Sequence, residues 1–335
     1  MILIDPRPER WTLGIDTSAY TTSVAVVMES GAIRQARRVL DVELGSRGLR
    51  PSEAVFHHVK NLPVLVEQVF EGLDSRRLVG VAVSVAPRPA PDSYLPPFLA
   101  GEAVARSIAS LVHAPLLRTT HQEGHIRAGV AGAGLPMPDT SFIALHISGG
   151  TTELVSVTPG PQPWKIRFLG GSDDLYAGQF VDRIGVLLGC RFPAGPELDG
   201  LAEATEIAHD IAWSRPRFHD GAWWTSFSGP ESAAERAVRD GAAPTEVARG
   251  VMDSIARALS ALVQKAAPPG DLLVVGGVAA NTHLRRRMQS LLALGGWRVW
   301  FAPPEWSRDN AIGVAYLAWD AADGLREPIG GETSL

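Results

Sequence analysis

The sequence predicts an α/β fold that is built twice over. Three observations carry this expectation. Strand-like and helix-like segments alternate along the chain. Each half opens with an apolar run, a small polar turn and a second apolar run: "TLGIDTSAYTTSVAVVME" in the first, "SFIALHISGGTTELVSV" in the second. Each half then continues as helices and buried strands. Such a duplication makes two lobes with a cleft, in which the turns "DTSAYTT" and "SGGTT" face each other.

The elements follow in order. After the first strand pair, "GAIRQARRVL" continues the meander. "SEAVFHHVKNLPVLVEQVFEGL" has helical apolar spacing, with Ser52 as the expected N-cap. "LVGVAVSVA" reads as a buried strand, "PFLAGEAVARSIASLVH" as a helix and "PLLRTT" as a strand. In the second half "WKIRFLG" is the third meander strand, followed by helices at "DLYAGQFVDRIGVLLG", "GPELDGLAEA", "ESAAERAVRDG" and "PTEVARGVMDSIARALSALVQKAA". Then come the strand "DLLVVGGVA", the helix "NTHLRRRMQSLLAL", the strand "WRVWFAPP" and the helix "RDNAIGVAYLAWDAA". The lobes are expected at 11–118 and 119–323, with a tail at 324–335. The last helix is free to pack on the first lobe.

Of 335 residues 45% are hydrophobic, enough for a large core. A net charge of −5 excludes a chain that is basic overall, and the run Arg285-Arg286-Arg287 reads as a solvated helix face. Cys190 is the sole cysteine, which excludes an intrachain disulfide. The opening "MILIDPRPER" does not read as a signal peptide, and no apolar run has the length to span a membrane. A cytoplasmic protein is expected.

Within "HQEGHIRAGV", His121 and His125 stand four apart on one helix face, near enough to share an ion. The zinc-protease pattern fails, because Gln122 follows the first histidine and the acid is Glu123. The plain alternative is a polar helix start, with Glu123 favouring the first-turn dipole. Either way two imidazoles need further ligands from elsewhere. The turns "DTSAYTT", "SGGTT" and "GGVAAN" are candidate phosphate cradles, since each offers backbone N–H groups.

In joint order and spacing, "LGIDTS", "HHVKNLP", "HQEGH", "ISGGTTELVSV", "AGQFVDRIGVLLG", "FPAGPELDGLA", "SFSG", "VVGGVAANTHLR" and "RDNAIGVAY" resemble the TsaD/Gcp family. The resemblance runs from about Leu13 to Trp319. It implies the actin/Hsp70/sugar-kinase (ASKHA) fold and transfer of a threonylcarbamoyl group from threonylcarbamoyl-adenylate to N6 of a tRNA adenosine beside the anticodon. It implies one divalent metal, iron or zinc, on His121, His125 and Asp309. It implies an ATP/AMP-type nucleotide or the adenylate at Ser148-Gly149-Gly150, with His146 and Ile147 leading into that turn, and at Asp182, Gly195, Asp199 and Asn281. Asp16 and Ser18 of the first hairpin stand where the family keeps catalytic groups. Partners implied are tRNA, TsaB- or TsaE-like proteins, or a second copy through the N-terminal lobe.

The chain departs from the family in three places. The acidic pair of the first turn is replaced by Tyr20-Thr21. The glycine-rich loop before the third helix is replaced by "SVAPRPAPDSYLPPF", whose prolines cannot present a row of N–H donors. The family's SGGHT reads Ser148-Gly149-Gly150-Thr151-Thr152, while His146, in phase with Ser148, is a candidate fourth ligand. Two alternatives therefore stay open: a carbamoyl transferase acting on another acceptor, and a non-catalytic partner in a tRNA-modifying complex. His58 reads as a structural helix-face histidine.

Overall fold

A computed structural model describes residues 9–18, 20–40, 49–90, 93–137, 140–160, 164–307 and 311–324. They fall into two units. The first draws on Met1–Ala128, Gly160–Trp164 and Asp309–Leu335, the second on Gly129–Pro159 and Lys165–Arg308.

In the first unit β1 (Trp11–Thr17), β2 (Thr21–Met28) and β3 (Ile33–Val39) form an antiparallel meander. β4 (Leu78–Ala86) and β5 (Leu116–Thr120) add parallel strands, giving the order β3-β2-β1-β4-β5. Strand periodicity assigns the two faces of β1. Trp11, Leu13 and Ile15 join a core with Leu62 and Leu65 of α1 (Pro51–Phe70) and Ala105 of α2 (Phe98–Val112). Each such fully buried large side chain contributes roughly 1.5–3 kcal/mol. Thr12, Gly14 and Asp16 point to the other face, where Thr12 Oγ1 donates to Ala315 O of α9 (Ile312–Gly324) at 2.9 Å. α1 starts one residue before the expected N-cap. Pro51 occupies its first position, where a missing N–H costs nothing, and Glu53 accepts the Arg50 N–H at 3.1 Å, so Ser52 lies inside the helix.

The second unit repeats the plan. β6 (Phe142–Ile147), β7 (Thr152–Thr158) and β8 (Lys165–Ser172) form a meander, and β11 (Asp271–Val275) and β12 (Arg298–Phe301) lie parallel to β6. The run β8-β7-β6-β11-β12 therefore matches β3-β2-β1-β4-β5. Two short strands extend it, β9 (Arg217–His219) and β10 (Ala222–Thr225). Their three and four residues carry no legible alternation, which is why the sequence did not announce them. Helices α4 (Ala177–Leu187), α5 (Gly195–Glu203), α6 (Ser228–Arg239), α7 (Pro244–Ala266) and α8 (Thr282–Ala293) complete the unit, with α7 contributing Val251, Ile255, Leu259 and Leu262 to its core. The arginine run is not one solvated face. Arg286 pairs with Glu203, whereas Arg285 turns inward over the Phe301 ring and donates to Ala279 O and Ala302 O, both at 2.5 Å. Among the described residues no helix is long and apolar enough to cross a membrane.

Candidate functional site

β5 ends at Thr120, and α3 (His121–Gly132) starts on the next residue. One turn brings His121 and His125 together, Nε2 to Nε2, at 3.1 Å. Two imidazole nitrogens on a single ion, each about 2.0–2.1 Å from it, stand roughly 3–3.4 Å apart, so the pair fits one cation. The groups behind the pair fit as well. His121 Nδ1–H donates to Asp16 Oδ2 at 2.9 Å, which leaves the Nε2 lone pair facing His125. A carboxylate in that place fixes the tautomer and raises ligand basicity. Asp16 is 1% exposed and is itself held by Ser84 Oγ at 2.6 Å and Ser18 N at 3.0 Å. Its place on β1 follows from the same periodicity that turns Leu13 and Ile15 away.

Among the described residues no group of three or more His, Cys, Asp or Glu is placed to hold a metal ion. Asp309 lies outside the described residues. Just after it, Ala311 N donates to Ser23 Oγ at 2.7 Å. α9 then crosses α3 at glycines: a Cβ on Gly313 would stand 1.8 Å from Gly124 O. Only a residue without a side chain allows this approach, one residue before His125.

His58 of α1 is fully buried. Its Nε2–H donates to Ser18 O at 2.9 Å, and its Nδ1 accepts the Thr22 hydroxyl at 2.8 Å. Burial pushes its pKa below the usual histidine value, in keeping with a neutral ring that braces the first turn. The proline-rich loop is tied at both ends. Pro87 O accepts Gln122 N at 3.0 Å, and Pro97 O accepts the Thr17 hydroxyl at 3.0 Å.

In the second unit two of the three candidate cradle turns line one cavity of ≈ 680 Å³, within the roughly 300–1,000 Å³ of small-ligand pockets. Gly149 comes from "SGG", Gly277 and Asn281 from "GGVAAN", Asp182 from α4, and Gly195 and Asp199 from α5. Gly276 makes the turn possible. Its φ is +99°, and a Cβ there would stand 2.3 Å from Ile147 O. Asp182 Oδ1 accepts Ala194 N at 2.8 Å, joining α4 to the start of α5, while burial raises its carboxyl above the usual carboxylate range. Asp199 accepts Thr282 N at 2.8 Å and His283 N at 3.3 Å, so it caps α8 as well as lining the cavity. Asn281 Oδ1 is committed to Leu284 N at 2.7 Å, which leaves Nδ2, buried and without a partner among the described residues, as the group able to meet a ligand.

Residues 36–316 match the family model TsaD, tRNA N6-adenosine threonylcarbamoyltransferase. The chain belongs to the TsaD family. A relative of that name from Thermus thermophilus is 34% identical over 315 residues, 92% of each chain. Another from Aromatoleum aromaticum is 33% identical over 338 residues, 96% of this chain and 93% of the relative. Among solved structures, HypF of T. kodakarensis superposes with a TM-score of 0.58 at 14% identity, covering 95% of this chain and 48% of that one. That likeness shows the fold, and the expected ASKHA architecture stands. The TsaD family is one of acyltransferases.

Five of the nine positions expected to meet a nucleotide, Gly149, Asp182, Gly195, Asp199 and Asn281, converge on the cavity. Four do not line it. Ile147 is fully buried and packs in the core, so only its backbone can act. Ser148 shapes the turn by donating its N–H to Thr151 O at 2.8 Å and accepting Gly178 N at 3.1 Å. Gly150 is exposed, and His146 sits half-buried on β6 opposite Glu153 and Val275. Sequence reasoning missed Met252 and Pro304 in the cavity wall. Met252 sits in the apolar stripe of α7 and reads as core, so no local signal marked it.

Proposed function

We propose that this TsaD-family chain transfers a threonylcarbamoyl group from threonylcarbamoyl-adenylate to the N6 amine of a tRNA adenosine beside the anticodon, in the cytoplasm. The observation that carries the reading is the facing Nε2 pair with a buried carboxylate on the far nitrogen of His121. His121 and His125, with Asp309, would hold one divalent cation, iron or zinc. When bound, such a cation supplies Lewis acidity to the carbamoyl carbonyl. Asp16 keeps the His121 ring oriented, and Ser84 and the Ser18 amide keep Asp16 in place.

The adenylate half fits the cavity chemistry. Asp182 and Asp199 carry acceptors for ribose hydroxyls, Asn281 Nδ2 is a spare donor, and Gly149 and Gly277 present backbone. In the transfer, the N6 lone pair forms the C–N bond at the carbamoyl carbon, the C–O bond to phosphate breaks, AMP leaves and N6 gives up a proton. Holding donor and acceptor together supplies the positioning. A TsaB- or TsaE-like protein, or a second copy through the N-terminal lobe, completes the working assembly in this reading.

A second reading keeps the cation and the adenylate but changes the acceptor. It is favoured by Tyr20, 44% exposed where the family has an acid, and by the proline loop tied beside Gln122 and Thr17. Complementation of a bacterium depleted of its own enzyme, with nucleoside analysis of its tRNA, separates the two. Restored threonylcarbamoyladenosine supports the first reading. Its absence from a strain that makes the folded, nucleotide-binding protein rejects that reading and leaves the second.

A further inference from the structure

Glu123 stands between the two histidines and is 0% exposed. Its carboxylate accepts from four donors. Oε2 accepts Thr119 Oγ1 at 2.9 Å, Thr120 N at 2.9 Å and Thr120 Oγ1 at 2.8 Å. Oε1 accepts the N–H of Trp164 at 3.0 Å. In return the Glu123 N–H donates to Thr120 Oγ1 at 3.3 Å, which closes a capping box at the start of α3.

A cap alone needs only the bond to Thr120 N. Here one carboxylate joins three segments: the end of β5, the first turn of α3, and the connection that enters β8 after Trp164, a residue 3% exposed. A helix end tied so fully has little freedom to rotate or slide, and the two Nε2 atoms ride on that turn. A ligand pair displaced by a few tenths of an ångström loses geometry that a metal needs. Resting on the cation reading above, we propose that Glu123 is a positioning residue for the histidine pair: through Thr119, Thr120 and Trp164 it sets where His121 and His125 meet a divalent cation.

Glu123→Gln keeps the volume but replaces one acceptor oxygen with an amide NH2, which cannot accept from the Thr119, Thr120 or Trp164 donors. The experiment titrates metal-free protein with Co2+ alone, reading its visible d–d bands, and in parallel measures AMP affinity and the unfolding midpoint. The expected result is a loss of Co2+ affinity of about 10-fold or more, as for other outer partners of metal ligands, with changed bands. AMP affinity should stay within about twofold of the parent, because Thr119, Thr120 and Trp164, which the carboxylate ties together, are not residues of the cavity wall. Glu123→Asp, which keeps the acceptor but shortens its reach, should fall between the two. A lower midpoint in Glu123→Gln with unchanged Co2+ affinity and bands overturns the proposal and leaves a plain helix cap. Parent protein that binds AMP but takes up no Co2+ sinks the cation reading, and the proposal with it. If Glu123→Gln does not fold, Thr119→Val removes one donor only. A few-fold loss of Co2+ affinity at constant AMP affinity supports the proposal, and no loss overturns it.

Discussion

The histidine pair of the first unit and the cavity of the second are made of different materials. The pair is a side-chain site held by side chains, with Asp16 behind His121, Ser84 behind Asp16, and His58 bracing the turn that bears Ser18. The cavity is largely a backbone site, shaped by Gly149, Gly277 and the φ of +99° at Gly276, with carboxylates that also tie helix ends. The difference teaches where each site is fragile. A side-chain network fails when a polar atom is exchanged at constant shape. A backbone cradle fails when a Cβ is added.

The sharpest way to break this comparison is at the ligands themselves. His121→Ala with His125→Ala should abolish uptake of the divalent ion, read as metal content after anaerobic purification, while AMP affinity stays near the parent value. Equal loss of both would mean that the two sites are one cooperative structure. Next in size is the backbone cradle. Gly276→Ala meets φ strain of about 1–3 kcal/mol, in addition to a Cβ 2.3 Å from Ile147 O. Calorimetry should show a lowered unfolding midpoint and AMP binding at least about 10-fold weaker, with metal content retained.

Asp182→Asn probes a carboxylate inside the backbone site. Loss of a charged acceptor for ribose should weaken AMP about 10-fold, which corresponds to 1.4 kcal/mol. Stability should move the other way. Burial raises the Asp182 pKa, so the folded chain holds that proton more tightly than the unfolded chain does. Its cost is therefore present above the raised value and relieved as pH falls through it. The variant should unfold at a higher temperature than the parent at neutral pH, and the gap should close on acidification. A gap that widens on acidification refutes the assignment. The smallest effect is expected at Ile147→Val, about 0.5–1.5 kcal/mol of stability with AMP affinity unchanged, as befits a core side chain next to a turn. A large affinity loss would return Ile147 to the binding surface.

Much of the fold was legible because period-2 and period-3.6 patterns are local. The repeated strand-turn-strand openings announced the duplicated sheet order, and β9 and β10 escaped because three or four residues carry no period. The site was legible in part. Thr120-x-x-Glu123 is a capping-box spelling open to any reader of the sequence, yet nothing local says that Glu123 also reaches Trp164. Ser52 looked like a cap and is not one, because Pro51 suits the first helical position better.

By itself the sequence determined the residue types and their spacing: two imidazoles one helical turn apart, small turns after strands, and a family signature in order. Only the tertiary structure decided which of them meet. Asp16 and His121 are 105 positions apart in the chain, and Asp199 reaches the start of α8 from 83 positions away. Contacts at such separations depend on how sheets and helices close on their cores, and no local period encodes that.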